Sequence, residues 1–333
     1  LEQVSQLKQT AKQNSDQLDG PLKIGAIFTI GPYLLPSLIP QLRQLAPKMP
    51  LHIDEDYTHN LRTKLRNGDV DAIIVALPFE EPEVDVVIFR QNTEGLYGGV
   101  EWSNPPKQVY DALMTHPKFR QNFGDAPVEE VSVSTRIFTK KYTERILRAA
   151  FSHAKKYGYK SVTVCEKPNV IRETSGMMYK MAQEMQKADF PEIELWNTNI
   201  DAQMMWLTKN PENYGVIVAG NMFGDIVSDG FAGLIGGLGF ACSAQYNPET
   251  GIGVFEPTHG SAPDIAGKGV ANPLAAILSA AMMLRHLGED AAAANVDAAV
   301  LQLLEQGETI TPDLGGSATT EGVGDAIAEI VSR

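Results

Sequence analysis

The sequence predicts an α/β protein in which parallel sheets are flanked by helices. Short apolar runs alternate with amphipathic helical patterns between residues 22 and 76. Two further β-branched runs, at 160–165 and 214–219, are each followed directly by polar residues. Strands separated by helix-length segments favour parallel pairing, because a parallel connection needs a long crossover. With 333 residues, 43% of them hydrophobic, the chain is long enough for one large core or two medium ones.

The first elements in chain order form a predicted β-α-β-α-β unit. Residues 1–19 have helical apolar spacing, and Gly20-Pro21 ends that helix. The pattern then predicts a strand at 22–27, a helix at 33–45, a strand at 51–55, a helix at 60–67 and a strand at 71–76. Pro36 and Pro40 count against an unbroken helix at 33–45, because proline lacks the backbone donor that a helix interior uses.

The later part of the chain repeats the alternation. An amphipathic helix through Tyr157 precedes the strand at 160–165, and a methionine-rich helix follows at 177–188. The strand at 214–219 precedes a glycine-rich helical segment, and residues 272–288 form an Ala/Leu/Met-rich pattern typical of a buried helix.

Composition narrows the function classes. The formal net charge is −13 and the pI is about 5.0, which argues against a nucleic-acid-binding surface. No apolar run reaches membrane-spanning length. The two cysteines, Cys165 and Cys242, have no C-x-x-C spacing, so we expect free thiols in a cytoplasmic protein.

The segment 214–239 contains the first candidate site. Its strand ends at Gly220-Asn221, and Asp225 and Asp229 follow four residues apart. If this part is helical, both carboxylates lie on one face, where they can share Mg²⁺ or Mn²⁺. The alternative is a solvated acidic face near a helix N-terminus. The spacing alone leaves both interpretations open.

A polar loop at 256–273, with closely spaced glycine and proline, is the second candidate site. Such a loop presents backbone N–H groups and leaves room for a phosphate. Together, this loop and the segment 221–239 resemble the metal-dependent 2-hydroxyacid oxidative decarboxylases, namely isocitrate, isopropylmalate and homoisocitrate dehydrogenases. The resemblance covers residues 87–333. It implies an isopropylmalate-dehydrogenase-like parallel or mixed sheet flanked by helices, with a smaller α/β dimerisation domain.

The resemblance also implies roles for individual residues. Arg90 would bind a substrate carboxylate, Tyr97 would transfer a proton, and Lys167 would take the hydroxyl proton directly or through Asp225. Asn169 would contact the nicotinamide or the substrate, and the metal ligands would be Asp201, Asp225 and Asp229. In the family, Lys167, Asn169 and Asp201 serve the partner subunit's site, so a homodimer is expected. Taken singly, Arg90 also suits a surface ion pair, Tyr97 a half-buried strand residue and Lys167 a solvated loop lysine.

The same resemblance implies NAD as the cofactor. The residues expected to bind it are His259, Gly260, Ser261, Ala262, Asp264, Ile265, Ala271 and Asn272. A carboxylate at Asp264 would accept hydrogen bonds from ribose hydroxyls and repel a 2′-phosphate. This favours NAD over NADP.

A different family is indicated at the start of the chain. Residues 20–36 and 65–74 resemble the effector domain of LysR-type regulators, most closely its OxyR-like members, and residues 1–19 resemble that family's linker helix. Residues 1–86 hold no counterpart of the DNA-reading domain, so we expect no nucleic-acid partner. The chain thus resembles a composite, in which the regulator's β-α-β-α-β unit replaces the dehydrogenases' own unit and its substrate-binding Ser, Asn and two Arg.

These observations predict both a domain division and a function. The expected parts are a linker-type helix (1–19), a regulator-like unit (20–86), a substrate-site segment (87–128), a dimerisation domain (129–205) and a metal- and NAD-binding domain (206–333). The expected reaction is NAD-linked oxidative decarboxylation of a 2-hydroxy acid, most like isocitrate to 2-oxoglutarate, impaired by the replaced segment. The alternatives are an inactive chimera and a regulator-derived ligand-binding module without catalysis.

Overall fold

The computed structural model describes residues 20–28, 30–75 and 84–332. They fall into two compact units: residues up to Val84 with Lys209–Glu212, and Asp85–Thr208 with the described residues from Asn213 onward. The helix predicted at 1–19 lies outside the described residues. The finer division of residues 87–333 into three domains stays a prediction.

The first unit contains a three-stranded parallel sheet. Its strands and helices are β1 (Leu22–Ile27), α1 (Gly31–Leu45), β2 (Leu51–Asp56), α2 (Thr58–Arg66) and β3 (Ala72–Ile74). The strand order is β2-β1-β3, with β1 parallel to both neighbours. The predicted β-α-β-α-β order is therefore confirmed over the described residues.

Helix α1 differs from the prediction, because it continues without a break through Pro36 and Pro40. Pro32, Pro36 and Pro40 are four residues apart and all are exposed. They therefore lie on the solvent face, where water can bond the carbonyls left without an intrahelical donor. Leu35 is the buried leucine of this helix, whereas Leu34 is 38% exposed.

The second unit is organised around a four-stranded parallel sheet of order β4-β9-β7-β8. Its strands are β4 (Val87–Arg90), β7 (Ser161–Glu166), β8 (Glu194–Asn199) and β9 (Val216–Ala219). Every residue of β7 and β9 is buried. A strand with both faces covered reads as a continuous apolar run, as β9 does, whereas β7 also buries the polar residues Ser161, Thr163 and Glu166. The predicted α/β class is confirmed.

Helices cover both faces of this sheet. They are α5 (Lys140–Tyr157), α6 (Thr174–Asp189), α7 (Ile200–Lys209) and α8 (Asn221–Ala232). Val162, Val164, Val216 and Val218 pack with apolar residues of α5 and α6. Cys165, Ile217 and Ala219 pack with Leu207 of α7 and with Phe223, Val227 and Phe231 of α8. Alternate strand residues thus face opposite cores, as the pleat of a strand requires.

The remaining elements of the second unit are small strand pairs and helices. β5 (Glu101–Ser103) pairs with β6 (Ser132–Ser134), and β10 (Cys242–Tyr246) pairs with β11 (Gly253–Pro257), both antiparallel. The other helices are α3 (Lys107–Met114), α4 (Pro117–Phe123), α9 (Leu274–His286), α10 (Asp290–Gln306) and α11 (Thr320–Val331). Residues of α9, α10 and α11 form a third core. Across the described ranges, no helix has the length and apolar character needed to cross a membrane.

Candidate active site

The residues predicted to bind substrate and metal lie near the carboxyl edge of the four-stranded sheet. Arg90 is the last residue of β4, and Lys167 follows the end of β7. Asp201 lies in the first turn of α7, directly after β8, and Asn221 begins α8 two residues after β9. The carboxyl ends of parallel strands meet at one edge, where α/β proteins place their sites. The fold therefore gives these residues a common location.

Arg90 is held by two residues of α8. Its Nε and Nη2 both donate to Asn221 Oδ1, at 3.0 and 2.9 Å, and its Nη1 donates to Asp225 Oδ1 at 2.5 Å. Gly224 makes this approach possible, because a Cβ there would lie only 2.7 Å from Arg90 Cγ. The arginine thus has a fixed guanidinium plane and one terminal nitrogen directed at a carboxylate.

Tyr97 joins the same cluster. Its hydroxyl donates to Asp225 Oδ2 at 3.1 Å, and Arg90 Cζ lies 5.7 Å from its ring centroid. Loss of water around the hydroxyl, followed by the hydrogen bond to Asp225, raises the pKa of Tyr97. The negative charge of Asp229 raises this pKa further, and Arg90 opposes the change. A tyrosine hydroxyl is protonated at neutral pH, so Tyr97 has a proton to donate.

Lys167 and Asp201 form a second pair. Lys167 Nζ donates to Asp201 Oδ1, and this hydrogen bond lowers the pKa of the Asp201 carboxyl. Asp201 is two-thirds exposed, so the pair is open to solvent. Asn169 is exposed on the turn after β7. The structure thus joins Arg90, Tyr97 and Asp225 in one cluster and Lys167 with Asp201 in another.

The carboxylates of α8 are arranged as the spacing predicted. Asp225 is partly exposed and Asp229 exposed, one helical turn apart. Two hard oxygen donors with room for further oxygen ligands fit Mg²⁺ or Mn²⁺. No group of three or more His, Cys, Asp or Glu side chains suited to a metal exists among the described residues. The assignment of Asp201, Asp225 and Asp229 as ligands stays a prediction, in which Asp201 comes from a second copy of the chain.

The predicted cofactor loop is exposed from Thr258 to Gly269. Ala262 has a φ of 44°, a left-handed conformation that costs a non-glycine residue about 1–3 kcal/mol. A short 3₁₀ turn at Pro263–Ile265 follows and presents Asp264 and Ile265 to solvent. His259 Nδ1 lies 2.9 Å from the Gly260 carbonyl oxygen. The roles proposed for these residues, and for Ser261, stay predictions.

The C-terminal end of the loop is tied to the rest of the second unit. Asn272 is buried, donates to Asp313 Oδ2 at 3.0 Å and accepts from the Leu274 N–H at 3.0 Å. Thr320 Oγ1 donates to the Ala271 carbonyl at 2.5 Å. These contacts fix residues 271 and 272 while the loop before them stays open.

Sequence reasoning missed Asn221, the residue that orients Arg90. We interpreted Gly220-Asn221 as a break between strand and helix, and that is also its backbone role, since Gly220 is the N-cap of α8. A polar residue at the first position of a helix after a buried strand is the signal that could have identified it. Its partner, Arg90, is 131 residues away in the chain, so no local sequence pattern could have predicted the contact.

Comparisons with known proteins agree with both resemblances. The isocitrate/isopropylmalate dehydrogenase family model matches residues 57–327, and the LysR substrate binding domain model matches residues 15–94. The chain is 43% identical over 250 residues to a 3-isopropylmalate dehydrogenase of Archaeoglobus fulgidus, covering 75% of this chain and 68% of that protein. It is 44% identical over 253 residues to an isocitrate/homoisocitrate dehydrogenase of Thermus thermophilus, covering 76% and 67%.

Among solved structures, the crystal structure of isocitrate dehydrogenase from Methylococcus capsulatus is similar, with a TM-score of 0.65 and 29% identity. That similarity covers 94% of this chain and 100% of the other. The ranges matched by the two family models overlap at residues 57–94. The patterns of both families therefore meet in the segment that leads to Arg90.

Proposed function

The chain belongs to the isocitrate/isopropylmalate dehydrogenase family, and from this we propose that it catalyses metal-dependent, NAD-linked oxidative decarboxylation of a 2-hydroxy acid. One observation supports the proposal most strongly. Arg90 and Tyr97, from one segment, meet Asp225 at the carboxyl edge of the sheet although Asp225 lies 135 and 128 residues from them along the chain. An anion-binding cation, a protonated acid and a metal-type carboxylate in contact are the groups that this chemistry needs.

The residues of this cluster have complementary tasks. Asn221 fixes the plane of the Arg90 guanidinium. Nη1 is therefore already oriented when it binds a substrate carboxylate. Tyr97, which is protonated at neutral pH, donates a proton to the carbon skeleton after CO₂ leaves. Lys167 accepts the proton of the substrate hydroxyl in the site of a second copy of the chain.

Asp225 and Asp229, with Asp201 of a second copy, are the proposed ligands of Mg²⁺ or Mn²⁺. When bound, the cation would act as a Lewis acid toward the substrate hydroxyl and the adjacent carboxylate. Asp225 also accepts hydrogen bonds from Arg90 and Tyr97. The same carboxylate thus orients the substrate-binding arginine and the acid.

NAD is the proposed cofactor, and it supplies the hydride acceptor. The exposed loop at 258–269, with Asn272 anchored at its end, is its proposed binding segment. Asp264 is exposed, in a position to accept hydrogen bonds from ribose hydroxyls and to repel a 2′-phosphate.

The proposed working form is a cytoplasmic homodimer. Val170, Met205 and Ile226, which belong to the segments bearing the candidate site residues, expose 68%, 51% and 41% of their surface. Exposed apolar side chains of this kind suit a contact with a second copy. Cys165 and Cys242 are free thiols, which supports a reducing compartment.

Isocitrate is the proposed substrate, turned over slowly. In the family, recognition of three substrate carboxylates is spread over a Ser, an Asn and three Arg, of which only Arg90 is retained. Homoisocitrate and 3-isopropylmalate are the alternatives to test beside it.

The experiment is an NADH-formation assay with each of the three acids, with and without Mn²⁺. Asp225→Asn should remove the Mn²⁺-dependent rate, and Asp189→Asn, which alters a carboxylate paired with Arg148 on the surface, should leave it unchanged. A rate that is independent of Mn²⁺, or equal in wild type and Asp225→Asn, would contradict the proposal.

The match of residues 15–94 to the LysR substrate binding domain favours a second candidate, a ligand-binding module without catalysis. It predicts no NADH formation with any of the three acids and no change in melting temperature with Mn²⁺ or NAD. Stabilisation by Mn²⁺ and NAD in a thermal-shift measurement would exclude it.

A further inference from the structure

A buried ion pair between Arg136 and Glu166 adjoins the candidate site. Arg136 Nη2 donates to Glu166 Oε2 at 2.7 Å, and the Glu166 side chain is fully buried. The guanidinium lies against two aromatic rings, 4.6 Å from the Phe138 centroid and 4.9 Å from the Phe223 centroid. Neither Arg136 nor Glu166 takes part in the chemistry proposed above. Burying two charges costs desolvation free energy, so a buried ion pair of this kind suggests a specific role.

Glu166 connects two backbone segments that lead to site residues. It is the last residue of β7 and directly precedes Lys167. Its Oε1 accepts from the N–H of Gly220, the N-cap of α8, at 2.8 Å. One carboxylate thus ties the strand end before Lys167 to the start of the helix that contains Asn221 and Asp225.

Ser175 extends this connection to Lys167 itself. Its hydroxyl donates to Glu166 Oε2 at 2.6 Å and accepts from the Lys167 backbone N–H at 3.4 Å. Arg136 Nη1 donates to the same hydroxyl at 3.0 Å and to Thr174 Oγ1 at 3.1 Å. The backbone of Lys167 is therefore fixed by the network that also fixes the start of α8.

The network requires a carboxylate at position 166, and the atoms around it are tightly packed. Both Glu166 oxygens face donors, so a carboxamide would direct its NH₂ group at the donors on one side. The packing around Gly220 is also tight, because a Cβ there would lie 2.5 Å from Phe138 Cζ and 2.6 Å from Glu166 Oε1. A small change at Glu166 is therefore transmitted to Gly220 and the first turn of α8.

We infer that Glu166, neutralised by Arg136, is a positioning residue that fixes Lys167 relative to Asn221 and Asp225. The inference rests on the proposed function, in which Asp225 binds the cation and Lys167 moves a proton. Since Lys167 serves the site of a second copy, this carboxylate connects the residues that one chain contributes to two different sites.

The test compares Glu166→Gln and Ser175→Ala with Ser279→Ala in the 333-residue chain. Ser279 is a matched control, since it is also buried and, among the described residues, its hydroxyl donates to the Ala275 carbonyl of its own helix. Hydrogen exchange should become faster in Glu166→Gln at both 167–171 and 220–226, and in Ser175→Ala chiefly at 167–171. Mn²⁺ affinity, measured by electron paramagnetic resonance, should fall about tenfold in Glu166→Gln. In turnover, kcat should fall more than KM rises.

The results distinguish failure of the positioning role from failure of the proposed function. If Glu166→Gln has the same hydrogen-exchange rates and the same Mn²⁺ affinity as Ser279→Ala, the positioning role alone is overturned. Should Glu166→Gln fail to fold, Ser175→Ala decides, because it leaves no buried charge unpaired. Hydrogen exchange at 167–171 must be faster in Ser175→Ala than in Ser279→Ala. Equal exchange rates in the two variants would overturn the positioning role. A wild-type protein without Mn²⁺ affinity would instead overturn the proposed function, and the positioning role with it.

Discussion

Arg90 Nη1 lies 2.5 Å from Asp225 Oδ1, so the predicted substrate-binding cation pairs with a predicted metal-binding carboxylate. About a third of each side chain is exposed, so solvent screens the pair. A divalent cation bound at Asp225 would compete with the guanidinium for the same oxygen. Each positive group would then weaken the binding of the other to this carboxylate, and this relation determines what removal of Arg90 should do.

Arg90→Gln should not weaken Mn²⁺ binding in the absence of substrate, and should strengthen it slightly, because a competing positive charge is lost. Affinity for the 2-hydroxy acid should fall by about 10-fold to 150-fold, as expected for one charge-assisted contact worth roughly 1.5–3 kcal/mol. Titration calorimetry measures both affinities. Arg148→Gln, which breaks a surface pair with Asp189, is the control. Weaker Mn²⁺ binding in Arg90→Gln alone would contradict the competition.

NAD should bind more tightly than NADP, because Asp264 repels a 2′-phosphate and accepts hydrogen bonds from ribose hydroxyls. Asp264→Asn should increase the affinity for NADP and so reduce the difference between the NAD and NADP affinities. Fluorescence titration of both cofactors checks this, with Glu289→Gln, also an exposed acidic residue, as the charge-matched control. Equal or tighter binding of NADP by the wild type would show that the interpretation of Asp264 is wrong.

The chain should form a homodimer with shared sites. Lys167→Ala and Asp225→Asn should each be inactive, yet a mixture should regain about one quarter of wild-type activity after subunit exchange, since half of the dimers then contain one intact site of two. Sedimentation at micromolar concentration measures the oligomeric state directly. A monomer, or a mixture without recovered activity, would argue against the shared site.

Turnover of isocitrate should be far below that of an intact relative. Two missing arginine contacts, at roughly 1.5–3 kcal/mol each, correspond to a loss of about two to four orders of magnitude in kcat/KM. NAD binding should persist, because the loop at 258–269 and Asn272 are unaffected. Steady-state kinetics beside a NAD titration tests both statements. Turnover on the order of tens per second at micromolar KM would show that another segment replaces the missing contacts.

Acid should destabilise the second unit partly through His153. This ring is packed among Phe89, Tyr157 and Tyr159, and burial, assisted by Lys156, lowers the pKa of His153 below its ordinary value of 6.5. A lowered pKa contributes stability that is present above about pH 6.5 and is lost as the pH falls through the folded-state value. His153→Phe, which does not titrate, should lose less stability than the wild type between about pH 7.5 and pH 5.5. Urea unfolding at both pH values tests this, and equal losses would exclude the contribution.

The sequence by itself determined the order of the elements and much of the local chemistry. A continuous apolar run identified β9, because a strand buried on both faces needs no polar side. The four-residue spacing of Asp225 and Asp229 predicted one helical face, and α8 provides it. These features depend on neighbours within a few residues, which periodicity reports directly.

Only the tertiary structure decided which distant residues meet. Arg90 contacts Asp225 across 135 residues of chain, and Glu166 contacts Gly220 across 54. Both contacts follow from the strand order β4-β9-β7-β8, which places the end of β9 between the ends of β4 and β7. A local pattern cannot specify strand order, because that order is set by which faces pack together over the whole sheet. For the same reason the roles of Asn221, Arg136 and Glu166 became visible only in the folded molecule.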